Sequence, residues 1–314
     1  MFETVARRTA LAVAGGIAAI LLASGAGALA QTVDLSPEQA GRPRADRNDA
    51  IAALIPKDYA FVEDGVLTIA AAPGTPPITT YATDARTVVG ADPDVIQLVA
   101  DVLGKRLVLV PVAWEDWPLG LASGKFDAVV SNVGVTEERK LRFDFSTYRQ
   151  GLHGFYVAEK SPVQSIREPK DIAGLRIIVG AGTNQERILL EWNRQNEAAG
   201  LAPAELQYYD DDAAWPIALK SGRADAEIGP NATLAYQAAV HGGLRSVGTV
   251  SSGWPLPAEV GITTRRGSGL AEPFTAALNT LIADGRYAKA LGRWGLGDEA
   301  VAVSRTNPPG LPKF

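Results

Sequence analysis

The apolar positions of this chain change period several times, and the changes divide it into short elements. Residues 66–71, apolar except for Thr68, have the length of a short strand and close in the loop Pro73-Gly74-Thr75-Pro76-Pro77. Across 94–103 the apolar residues Val95, Leu98, Val99 and Val102 fall at helical spacing, and Gly104 stops the pattern. A strand over 107–112, a short helix over 117–122 and a strand over 126–130 follow. A second series repeats the scheme: strand 175–179, helix 185–196, strand 206–209, helix 215–220, strand 224–228. Strands alternating with helices predict parallel sheets and an α/β class.

The series contains an echo. Ser221-Gly222-Arg223-Ala224-Asp225-Ala226 repeats Ser123-Gly124-Lys125-Phe126-Asp127-Ala128 in residue type and order, as expected of two lobes built from one unit. At 314 residues the chain is long enough to divide its core in this way.

The first 30 residues have a different character. Arg7-Arg8 precede an apolar run over 11–22, which ends in small residues through Ala28-Leu29-Ala30. A basic start, an apolar middle and an A-x-A site describe a signal peptide cleaved after Ala30. Gly15, Gly16 and Ser24 interrupt the run, which argues against a membrane anchor. With no cysteine to carry a lipid, the expected product is free in the periplasm. Residues 31–48 are polar, with Pro37, Pro43 and several arginines, and predict a mobile lead-in within an N-terminal extension over 31–65.

Composition narrows the chemistry. A net charge of −5 disfavours nucleic acid and anionic membrane as partners. The absence of cysteine removes thiolate nucleophiles, disulfides and cysteine metal sites. Two histidines, His153 and His241, leave little material for a histidine metal site or relay. No metal site or cofactor is therefore expected.

The stretch Phe126 to Ser146, "FDAVVSNVGVTEERKLRFDFS", is the most informative. A strand ends in the small polar run Ser131 to Gly134, and Thr136-Glu137-Glu138-Arg139 then looks like a capped helix start. Taken with "LASGKFDAVV", "IREPKDIAGLRIIVGAGTNQE", "LKSGRADAEI" and "ALNTLIADGRYAKALGRWGL", in that order, it resembles the family 3 extracytoplasmic solute-binding proteins, the polar-amino-acid receptors of ABC importers. The resemblance covers roughly 66–296. It implies a type II Venus-flytrap fold, in which two α/β lobes joined by two strands close on a small ligand. The implied division is 66–152 and 253–300 for lobe 1, 153–252 for lobe 2, and a tail over 301–314. The expected partners are a carboxylate-bearing small molecule and an inner-membrane ABC permease, with the receptor itself a monomer.

Ligands of open α/β sheets bind beyond the carboxyl ends of strands, near exposed amides and helix N-termini. Ser131, Asn132 and Gly134 follow one such strand, and Thr183 and Asn184 follow another in "GAGTNQE". The resemblance assigns the ligand carboxylate to Arg139, whose planar fork suits it. It places Asn184 and Trp117 at further ligand contacts, Thr75 and Asn231 are candidates at positions where the chain departs from the family, and Trp114 and Trp215 read as core or rim.

The pattern also departs from the family. Where amino-acid binders carry an acid for the ammonium, this chain has Pro230 followed by Asn231. Ala72 and Thr75 replace an acid and an aromatic, Gly134 replaces a polar residue, and "FSTYRQ" lacks a proline. An amino acid or a derivative is the expected ligand, with Asn231 or Glu227 taking over any ammonium. Two alternatives remain: a secreted enzyme like the cyclohexadienyl dehydratases, with Glu227 or Asp225 as acid, and a periplasmic sensory or accessory protein.

Overall fold

The computed structural model describes residues 33–209 and 213–314. The leader over 1–30 and its cleavage site lie outside the described residues. The elements, in chain order, are α1 (Asp49–Ala52), β1 (Val66–Ala71), β2 (Thr80–Tyr81), β3 (Val88–Val89), α2 (Ala91–Val102), β4 (Arg106–Pro111), α3 (Trp117–Ala122), β5 (Ala128–Val129), β6 (Phe143–Gln150), β7 (Leu152–Ala158), β8 (Arg176–Ile178), α4 (Asn184–Ala198), β9 (Glu205–Gln207), α5 (Ala214–Lys220), β10 (Ala226–Pro230), α6 (Asn231–His241), β11 (Leu244–Ser251), β12 (Glu259–Arg265), α7 (Ala271–Ala283) and α8 (Arg286–Gly292).

Two five-stranded sheets organise the chain. The first has the order β4-β1-β5-β12-β6 and the second β11-β7-β10-β8-β9. Neither is wholly parallel. In the first sheet β1 runs parallel to β4 and β5, while β12 is antiparallel to β5 and β6. In the second, β8 runs parallel to β9 and β10, while β7 is antiparallel to β10 and β11. The departure from all-parallel sheets has a simple cause: β6, β7, β11 and β12 belong to the two passages between the sheets, not to strand–helix–strand units.

At the passages the chain crosses itself closely. Gly151 separates β6 from β7, and Ser252 to Ala258 separate β11 from β12. The two connections hydrogen-bond to each other, Gly151 N to Ala258 O at 3.0 Å and Ser252 N to Gly151 O at 2.8 Å. A Cβ on residue 151 would collide with Ser252 Oγ, so only glycine fits this crossing.

Each sheet has its own core. The first is sandwiched between α2, α7 and α8 on one face, with Leu98, Val99, Phe274 and Leu291 fully buried, and Trp117, Leu121, Phe143 and Phe145 on the other. The second packs Phe155, Ile188, Leu189 and Trp192 on one face and Ile178, Ala218 and Leu219 on the other. The repeated sequence unit is a repeated structural device. Asp127 accepts the Thr68 amide at 2.8 Å at the start of β1, and Asp225 accepts the Arg176 amide at 2.9 Å at the start of β8.

The expectation of a mobile lead-in over 31–48 is corrected from Val33 onward. Arg42 pairs with the buried carboxylate of Asp94 at 2.6 Å, and Arg44 with Asp101 at 2.7 Å. Tyr59 Oη reaches Asp127 at 3.1 Å and accepts from Arg265 at 2.8 Å. Polar composition suggested mobility, but the arginines have acids waiting for them on α2. The tail is also packed. Leu311 exchanges backbone hydrogen bonds with Val135 and Glu137 beside the first sheet, while its fully buried side chain joins the core of the second.

Candidate functional site

Between the sheets lies a cavity of about 810 Å³. Its wall on the first lobe comes from the loop after β1, the segment before α3, and the run after β5. On the second lobe it comes from the start of α4, the end of β10 and the inner turn of α6.

Arg139 sits at the seam. Thr136 Oγ1 accepts its amide at 2.9 Å and starts a single 3-10 turn over Arg139–Leu141, where the sequence predicts a helix start. The guanidinium donates to Gly134 O at 2.9 Å within its own lobe. It donates also to Asn184 Oδ1 at 3.1 Å and Gly182 O at 3.2 Å in the other. It lies 5.6 Å from the Trp114 ring and 5.8 Å from that of Trp117. These partners are neutral, and they use three of the five N–H groups that a guanidinium carries. Burial, and beyond it the nearby Arg187, lowers the Arg139 pKa to about 10, which leaves it charged at neutral pH. A half-buried cation with neutral hydrogen-bond partners is a place for an anion.

The residues around it each have a definite part. Ser131 Oγ accepts the Ala72 amide at 2.9 Å and so ties the first loop to the strand end. Asn132 has left-handed backbone, φ 52°, donates its amide to Asp92 at 2.7 Å, and accepts from Arg149 with its side chain. Arg149 is fully buried and also pairs with Glu299. Thr183 caps α4, accepting from Glu186 N at 3.2 Å and donating to Gly180 O at 2.7 Å. Glu186 in turn takes the Gly182 amide at 2.6 Å, so the helix start satisfies part of its own donor set. Asn184 gives Nδ2 to Ser252 O at 3.0 Å. Thr75 Oγ1 accepts from Gln237 Nε2 at 3.3 Å across the cleft.

Arg139, Ser131, Asn132, Gly134, Thr183, Asn184 and Thr75 thus line one cavity. Trp117 and Asn231 do not. Trp117, 2% exposed, is packed into the first core with its ring 5.1 Å from that of Phe143, because α3 turns it onto the sheet. Trp114, one turn earlier, takes the cavity wall instead, as does Trp215 opposite. Asn231 opens α6 with its side chain against Gly154. His153, Gln237 and Ser252 also line the cavity and carry no local motif. Only the pairing of distant strands and helices brings them there. Among the described residues no cluster of acids and histidines could hold a metal, and no helix is long and apolar enough to cross a membrane.

Three comparisons bear on this architecture. The model of the bacterial extracellular solute-binding proteins, family 3, matches residues 67–297. The L-cystine-binding protein TcyJ of Escherichia coli (strain K12) is 32% identical over 155 residues, which are 49% of this chain and 54% of that protein. The chain therefore spans about half the length of that curated relative. A glutamine-binding protein of Bacillus subtilis (strain 168) is 28% identical over 65% of this chain and 72% of its own. Among solved structures, an ancestral arginine-binding protein bound to arginine is 29% identical, with a TM-score of 0.62 over 73% of this chain and 98% of that one.

Proposed function

The chain belongs to the bacterial extracellular solute-binding proteins, family 3, and from that membership and the cleft we propose that it is the periplasmic receptor of an ABC importer. It captures a small carboxylate-bearing compound, an amino acid or a derivative, by closing two lobes over it. The observation that carries this reading is Arg139, a half-buried guanidinium at the lobe seam whose hydrogen-bond partners are all neutral. A carboxylate can replace the carbonyl contacts with charge-assisted ones. Relatives named for cystine, glutamine and arginine support the ligand class, and the apolar-ended leader over 1–30 supports export.

A ligand that touches both lobes shifts the open–closed equilibrium by its differential affinity for the closed form. The enzyme reading, prompted by a cyclohexadienyl dehydratase of Pseudomonas aeruginosa that is 29% identical over 40% of this chain, lacks its acids in the cleft. Neither Asp225, which holds Arg176, nor Glu227 lines the cavity. The test is a thermal-shift and calorimetric screen of amino acids, their derivatives and plain organic acids, repeated on Arg139→Ala. The expected result is a carboxylate ligand whose affinity falls on the order of 30-fold or more in the variant, as for truncation of a buried charged partner. Equal affinity in the variant would sink the carboxylate assignment.

A further inference from the structure

Strand β7 enters the cavity at His153, whose register partners are Pro230 on β10 and Val250 on β11. Residues directly opposite on antiparallel strands send their side chains to the same face. His153 and Pro230 accordingly stand side by side, and both line the cavity. His153 is 4% exposed, yet neither ring nitrogen has a hydrogen-bond partner among the described residues. Buried polar atoms are rarely left so, and each one needs a reason.

Two more such atoms belong to residues that line the same cavity. Ser252 Oγ, next to the crossing at Gly151, has no partner among the described residues, nor has Gln237 Oε1, whose amide nitrogen is engaged by Thr75. The second lobe thus presents three uncharged residues with unused hydrogen-bonding capacity, opposite the cation on the first. The carboxylate among the described residues lining the cavity is Glu115, and it is exposed on the first lobe. Burial first, then Arg149 and Arg139, push the His153 pKa down to about 3, so the ring offers one donor and one acceptor.

We propose that His153, Ser252 and Gln237 form an uncharged subsite that receives the second polar group of the ligand, and that His153 sets specificity where other members of the fold use an acid. The group that fits is a hydroxyl, a carbonyl or an amide. A free α-ammonium would lose its hydration beside a neutral ring flanked by two guanidinium groups, and among the described residues no buried carboxylate lines the cavity to offset the loss. Within the carboxylate class, on which this inference rests, the preferred ligands are 2-hydroxy acids, 2-oxo acids and N-acylated amino acids.

The test uses the chain without its leader and matched compounds: L-amino acids and their 2-hydroxy and N-acetyl counterparts, titrated calorimetrically. The best uncharged member is expected to bind at least tenfold tighter than the free amino acid with the same side chain. His153→Ala should weaken that compound at least tenfold. His153→Gln, which keeps a neutral donor and acceptor, should retain most of the affinity, and His153→Asp should turn the preference toward the free amino acid. Circular dichroism melts establish that each variant is folded, and the Gln variant carries the test where Ala does not fold. Tighter binding of the free amino acid by the unaltered chain would overturn the inference, as would unchanged binding by His153→Ala. If carboxylates bind through Arg139 in either case, the carboxylate reading survives and only the subsite falls. If no member of the panel binds, or carboxamides bind as tightly as acids, the carboxylate reading falls as well.

Discussion

Gly134 and Asn184 meet across the cleft so closely that a Cβ on residue 134 would overlap Asn184 Nδ2. Gly134 follows β5 in the first lobe and Asn184 begins α4 in the second. Asn184 is held on both sides, its oxygen by Arg139 and its nitrogen by Ser252 O. Glycine at 134 is therefore a condition of this degree of closure. The lobes are also latched at their rims by the Arg187–Glu138 ion pair and by Gln237 on Thr75.

Gly134→Ser should hold the lobes apart. Overpacking costs about 1–3 kcal/mol, which corresponds to roughly 5- to 150-fold in affinity for a ligand that needs the closed form. Small-angle scattering should show a larger radius of gyration for the saturated variant than for the saturated parent. An unchanged radius and affinity would mean that Asn184 moves aside freely.

His153 should make stability depend on pH. Its folded-state pKa, about 3, lies below the ordinary value because burial and the guanidinium groups of Arg149 and Arg139 disfavour a second charge. Between that value and about 6.5 the unfolded chain binds a proton that the folded chain refuses, so stability falls as pH drops through this window. The loss approaches about 1.4 kcal/mol per pH unit below 6.5 as a ceiling. Urea unfolding at pH 7 and pH 5 should therefore differ less for His153→Gln than for the parent.

Glu299→Gln should destabilise the first lobe by about 3–5 kcal/mol, the usual cost of leaving one member of a buried ion pair alone. Arg149 is fully buried and has Glu299 as its carboxylate partner. It also positions Asn132 at the cavity, so ligand affinity should fall together with the urea midpoint. A variant as stable as the parent would show that the pair contributes nothing net.

Truncation after Pro309 removes Leu311, which is fully buried against the second core while its backbone is hydrogen-bonded to the first lobe. Loss of a buried leucine costs about 2–5 kcal/mol. Because the residue spans both lobes, the ligand-free radius of gyration should rise as well. If only the melting temperature falls, the tail is a core element without influence on closure.

The chain by itself determined the class of the fold and marked the turn that carries Arg139. Val95, Leu98, Val99 and Val102 at helical spacing, the mostly apolar run of β1, and the repeated unit around Asp127 and Asp225 are local patterns with local causes. They specify elements wherever the rest of the chain lies, and the run from Ser131 to Arg139 marks a strand end with a capped turn for the same reason. What only tertiary structure decided is which residues share the cavity. Trp114 and Trp117 are three positions apart with the same chemistry, and the docking of α3 on the sheet puts one in the wall and the other in the core. His153 acquires its role from its register with Pro230, and Gln237 from the reach of α6 across to Thr75. The arginines of the N-terminal segment look solvent-seeking until α2 presents Asp94 and Asp101 to them. These outcomes depend on contacts between residues tens or hundreds of positions apart, and no periodicity along the chain encodes which distant partner a side chain will meet.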